Sequence, residues 1–143
     1  MLGRDEEANR MLRDVYAGRL KLNGDEHEYT FIAADNYALS LLGLQRFEEA
    51  KALLRKMMPV ARRVLGESYE TTLKMRTVYA RALFLDAGAT LEDLREAVTT
   101  LGDVVRIARR VFGGEHPLTM TLGEDLQDSR AALRARETPP GSA

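Results

Sequence analysis

The sequence predicts an all-α chain of about six helices, arranged as antiparallel pairs that stack side by side into an open solenoid. Three observations point there. A seven-residue frame recurs along the chain at near-constant spacing. Three of the four prolines fall in the last fifth, leaving long stretches rich in Ala, Leu, Arg and Glu that favour helix. No segment shows the sustained apolar–polar alternation, bounded by turns, that marks a strand.

The frame begins at Gly24-Asp25-Glu26-His27-Glu28-Tyr29-Thr30, which reads G-x-x-H-x-x-T. It returns 42 residues later at Gly66-Glu67-Ser68-Tyr69-Glu70-Thr71-Thr72, with Tyr in the His position, and again 47 residues after that at Gly113-Gly114-Glu115-His116-Pro117-Leu118-Thr119. The interior keeps the same phase. Ala38 and Ala80 follow their threonines by eight residues, and Val64-Leu65-Gly66 and Val111-Phe112-Gly113 close two units alike. Phe47-Glu48-Glu49-Ala50 opens a second helix, and Leu94-Arg95-Glu96-Ala97 is its counterpart after five extra residues within Asp86–Glu96. Leu2-Gly3-Arg4-Asp5-Glu6-Glu7-Ala8 matches the same hairpin turn, so the chain enters on the second helix of a unit and its last helix is the first of another.

The elements follow in order. The first helix, 5–22, carries Met11, Leu12, Val15 and Tyr16 on one side. The second, 28–43, starts at the first frame, where Glu28 complements the helix dipole. The third, 47–65, has the stripe Leu53, Leu54, Met57, Val60, Ala61, Val64 and an interior proline, Pro59, expected to set curvature by removing a hydrogen bond to Arg55. The fourth spans 70–86. The fifth, 91–112, starts on the capping box Thr90-Leu91-Glu92-Asp93 and carries Leu101, Val104, Val105, Ala108, Val111, Phe112. The sixth, 117–136, opens with Pro117 at its first position. Gly24, Gly66 and Gly113 are expected to end helices in the left-handed conformation. Ala38, Ala50, Ala80 and Ala97 are small residues where helices approach closely. The chain thus divides into a repeat domain, 1–136, and a tail, 137–143, too small and polar to pack and expected to be disordered.

Composition narrows function. The net charge is −1 although charged residues make up 30%, which gives no general attraction to nucleic acid or to a membrane surface. Cysteine is absent, so neither disulfides nor thiolate metal sites arise. No signal-like segment opens the chain and no apolar run reaches membrane-spanning length, so a cytoplasmic protein is expected. There is no P-loop or dinucleotide fingerprint, hence no expected cofactor. Ser40, Ser68 and Ser129 lack the neighbourhood of a nucleophilic triad. Asp25-Glu26-His27-Glu28 has metal-ligand chemistry, but the frame recurs with Tyr69, so His27 and His116 read as capping or packing residues and no metal is expected. The chain is not expected to be an enzyme.

The frame resembles the 42-residue tetratricopeptide repeats of the kinesin light chain type, whose units run L-G-x-x-H-P-x-T, N-x-A, G-R-x-x-E-A. Asn36, Ala38, Arg46, Glu49 and Ala50 match it in the first full unit, and the resemblance covers about residues 2–133. Departures are the missing prolines in two frames, Gln45 in place of a turn glycine, Val78 in place of the asparagine, and the five-residue insertion. The resemblance implies a right-handed α-solenoid and a scaffold for protein–protein interaction, in which the first helix of each pair lines a concave surface.

On that surface the register puts Ile32, Asp35, Asn36, Leu39 and Leu42, then Lys74, Thr77, Val78, Arg81 and Phe84, then Thr121, Glu124, Asp125 and Asp128. Asp35, Asn36, Leu39, Lys74, Thr77, Arg81, Phe84 and Asp128 are the expected peptide-binding residues. Lys74 and Arg81 would receive a carboxylate, Asn36 would bond a peptide amide, and Leu39 and Phe84 would take apolar side chains. Lys74 and Arg81 could equally pair with Asp35 and Asp128 between helices. The expected partner is a protein or peptide segment. The alternative is a structural assembly unit, or a fragment of a longer array, that self-associates through its end helices as a homodimer or by adding further repeats. The recurring doublets Arg62-Arg63 and Arg109-Arg110 read as complements of helix C-terminal dipoles, with phosphate binding as the other reading.

Overall fold

A computed structural model of the chain describes residues 2–138. It contains six helices: α1 (Leu2–Asn23), α2 (Glu28–Gly43), α3 (Phe47–Leu65), α4 (Glu70–Phe84), α5 (Leu91–Phe112) and α6 (Pro117–Glu137). Each packs on the next, and α2 also touches α4, as α4 touches α6. First helices of successive pairs therefore form an inner row, and the architecture is an α-solenoid of antiparallel helix pairs. Among the described residues no strand occurs, and no helix is long and apolar enough to cross a membrane.

The core runs along the whole stack. Phe31, Leu54, Met57, Leu73, Leu83, Leu101 and Val104 are completely buried, and Ala38, Ala50, Ala80 and Ala97 are buried to the same degree. Each fully buried Leu or Met side chain contributes about 1.5–3 kcal/mol, and the alanines let facing helices approach without a void. α4 touches α2, α3, α5 and α6 and is buried almost all round.

Helix ends show why the frame recurs. His27 and His116 are N-caps whose Nδ1 accepts from the N–H of Tyr29 (3.0 Å) and Leu118 (3.1 Å). This is a structural use of both histidines. The Thr30 hydroxyl donates to the Gly24 carbonyl at 2.7 Å, tying the loop to the helix it opens. Thr72 and Thr119, at the same frame position, are buried without such a bond. The Thr90–Asp93 capping box forms in both directions at 3.0 Å.

The structure departs from the sequence reading at several boundaries and at two glycines. α1 begins at Leu2 rather than 5. α4 ends at Phe84 rather than 86, because the Asp86 carboxylate accepts from the Gly88 N–H at 2.9 Å and folds the insertion into a turn that competes with helix. α6 continues through Glu137, one residue into the segment read as tail; positions 139–143 of that tail lie outside the described residues. Gly66 and Gly113 are not left-handed helical: φ is +97° and +91° with ψ 162° and 157°, an extended region open essentially to glycine alone. Pro59 is exposed inside an unbroken α3.

The turn between α2 and α3 carries a built-in cost. The Arg46 N–H bonds the Leu41 carbonyl and the Gln45 N–H bonds the Leu42 carbonyl, both at 2.9 Å, a Schellman arrangement that puts Gln45 at φ +61°. Gln45→Gly is expected to stabilise the chain by about 1 kcal/mol, the left-handed penalty of a side chain. Urea unfolding measures it, and a destabilised variant contradicts this account.

Candidate functional site

The inner row builds a groove of about 540 Å³ between the N-terminal halves of α2 and α4, closed at one side by the end of α5. Ile32, Asp35, Asn36, Lys74, Val111 and Phe112 line it, together with Ser68, Tyr69 and the first residues of α4. The Tyr69 hydroxyl, at the position of the frame histidine, donates to both Glu28 carboxylate oxygens at 2.8 and 2.9 Å and clasps the starts of α2 and α4. That bond holds the phenol's pKa above its ordinary value.

The predicted residues fall into three groups, with Arg81 apart. Asp35, Asn36 and Lys74 come together in the groove. Leu39 and Asp128 are exposed further along the inner row. Thr77 and Phe84 are only 7% and 9% exposed, and the Thr77 hydroxyl donates to its own helix at Leu73, so both support the floor and offer little surface. Arg81 faces Asp125 across α4 and α6, Nε to Oδ1, at 3.8 Å, not Asp128. Lys74 pairs along its own helix with Glu70 at 3.4 Å. The inter-helix pairs anticipated as an alternative thus resolve into one intrahelical pair and one long contact.

Several polar atoms here lack hydrogen-bond partners. Asp35 Oδ1, Arg81 Nε and Asp125 Oδ2 are buried and unbonded within the protein. Burial pushes the Asp35 carboxyl up to about 7, opposed by the charge of Lys74. Burial also raises Asp125, with Arg81 lowering it and Asp128 and Glu124 adding to the rise. Unbonded buried polar groups are costly to the fold. The groove offers donors and acceptors along a path lined with apolar side chains, which suits an extended chain.

Tyr69, Val111 and Phe112 escape a register argument confined to first helices, because they sit on a loop and on a second helix. The Tyr-for-His exchange in the second frame was the one visible signal. The doublets also separate. Arg62 pairs with Glu67 at 2.6 Å and Arg63 with Glu26 at 2.8 Å. Arg109 and Arg110, in the last turn of α5, have no ion-pair partner among the described residues.

Stacked antiparallel pairs with a shared inner face define a helical-repeat protein. The sequence model of the tetratricopeptide repeat family matches residues 31–68 and 89–118, so this part of the chain is similar to tetratricopeptide repeats. These are in general non-catalytic scaffolds for protein interaction. No curated protein sequence matches the chain.

Proposed function

We propose that the chain is a scaffold that holds an extended peptide or protein segment on its concave face, across α2, α4 and α6. The observation that carries this reading is the open groove in which Asp35, Asn36 and Lys74 lie beside Ile32 and Phe112. A carboxylate of the segment bonds Lys74 or Arg81, its main-chain amides bond Asn36 and Asp35, and an apolar side chain rests on Ile32 and Phe112. The Gly-x-x-His frame and the 42-residue spacing support repeats of the kinesin light chain type.

Peptides selected from a random library on the wild-type chain are expected to lose at least about tenfold in affinity for Lys74→Glu/Arg81→Glu, because reversed charge repels the carboxylate. Both side chains are partly exposed, so the variant should keep its helical circular dichroism. Selected peptides that bind variant and wild type equally defeat the concave-face reading.

A further inference from the structure

We propose that the segment seated in the groove between α2 and α4 carries a lysine or arginine, whose stem lies on Ile32 and whose charged end meets Glu28, with Asp35 beyond it. This rests on the concave-face reading and names the chemistry of the partner there. The segment's carboxylate at Lys74 and its cation at Glu28 then sit on opposite walls of one groove.

Both walls are interior helices of the stack. α2 packs on α1, α3 and α4, and α4 packs on α2, α3, α5 and α6. Glu28, Ile32 and Asp35 follow one another at helical spacing and form one face of α2, about 10 Å long. Tyr69 fixes the outer end of that face. In the other two frames a histidine holds this position and caps its own helix through Nδ1. Tyr69 instead reaches back across 41 residues, and its single hydrogen is shared between the two Glu28 oxygens. A carboxylate offers about four acceptor sites, so most of them stay open. Glu28 is thus held in place before a ligand arrives, which lowers the ordering cost of binding. Ile32, Val111 and Phe112 supply the apolar surface that suits the methylene stem of a lysine or arginine.

Charge selects the occupant. The whole chain carries 21 bases against 22 acids, yet the groove sets Glu28, Asp35 and Glu70 against Lys74 alone. Lys74 pairs with Glu70, and the acidic excess remains whichever acid it meets. Bases on neighbouring turns are engaged elsewhere. Arg63 pairs with Glu26 at 2.8 Å, Arg81 faces Asp125 at 3.8 Å, and Arg19 lies over the Tyr29 ring, 5.2 Å from its centroid. Among the described residues Glu28 and Asp35 have no ion-pair partner. Burial opposes the charge of Asp35. A cation in the groove favours its ionised form through space, without reaching the enclosed Oδ1. A purely acidic segment or a nucleic acid would instead bring like charge to this wall.

Peptides selected from a random library on the wild-type chain test this. They are expected to be enriched in lysine or arginine, and to bind Glu28→Gln/Asp35→Asn at least about tenfold more weakly. Both substitutions keep side-chain shape, and the amide oxygen introduced at position 28 still accepts from Tyr69. Circular dichroism confirms that the variant is folded. Replacing the basic residue of a selected peptide by norleucine keeps the apolar stem and removes the charge. That exchange should cost the wild type about tenfold and cost the variant little, because the interaction is already gone there. Peptides that weaken with Lys74→Glu/Arg81→Glu but bind Glu28→Gln/Asp35→Asn as tightly as the wild type overturn the proposal and leave the concave-face reading standing. An equal loss from norleucine on wild type and variant also overturns it, since the cation then sits elsewhere. Peptides indifferent to both variants, or a library without binders, overturn the proposal and the concave-face reading together.

Discussion

Asp35→Asn is expected to be more stable than the wild type by about 1–3 kcal/mol at pH 8 and equal to it at pH 4. The carboxyl is held at about 7 in the folded chain by burial, against an ordinary value of 3.8. Between those values the folded state keeps a proton that the unfolded state has lost. The stability this group contributes is therefore complete below pH 4 and disappears as pH rises through 7, the reverse of an ion-paired aspartate. Asp93 has the ordinary sign, since its bond from the Thr90 N–H lowers its pKa and its stabilisation is lost as pH falls. Comparing wild type and variant by urea unfolding at pH 4, 6 and 8 cancels Asp93 and every other shared group. Parallel stability curves would show that Asp35 titrates normally and that its carboxylate is not desolvated.

The fold was legible because equivalent side chains recur in phase. α2, α3 and α5 begin and end where the frame placed them, since each boundary has a local chemical cause written in the sequence: a histidine cap, a capping box, a glycine that alone accepts positive φ with extended ψ. α4 misled by two residues because the insertion breaks phase there, and Asp86 uses its side chain on a neighbouring backbone amide. The left-handed expectation failed at Gly66 and Gly113 for a related reason: glycine announces positive φ, whereas ψ depends on where the following helix must start.

The groove was only half legible. Register fixes which residues face inward, and it brought Asp35, Asn36 and Lys74 to one place. It does not fix how far a long side chain reaches or which acid it meets. Lys74 turned along its own helix, and Arg81 met Asp125 one turn short of Asp128. Thr77 and Phe84 share the inward direction but are almost fully buried. Contributions from other elements, such as Phe112, depend on tertiary approach. The contrast between the two arginine doublets is likewise invisible in the doublets themselves. It appears only once Gly114 and Ser68 are aligned with Glu67 and Glu26.

Phe31→Ala is expected to cost about 3–5 kcal/mol and Leu73→Ala about 2–5 kcal/mol, whereas Met120→Ala should stay within about 0.5 kcal/mol in the monomer. The three residues hold one position of the unit, and the first two are fully buried while Met120 is 56% exposed. The difference arises because α2 has α3, and α4 has α5, to press upon it, while among the described residues α6 has no such helix. Removing Phe31 or Leu73 leaves a cavity between paired helices that close-packed neighbours cannot fill; removing Met120 alters a surface already in water. Urea unfolding of the three variants at low protein concentration measures the contrast. A large cost at Met120 would mean that α6 draws stability from a contact the single chain does not show.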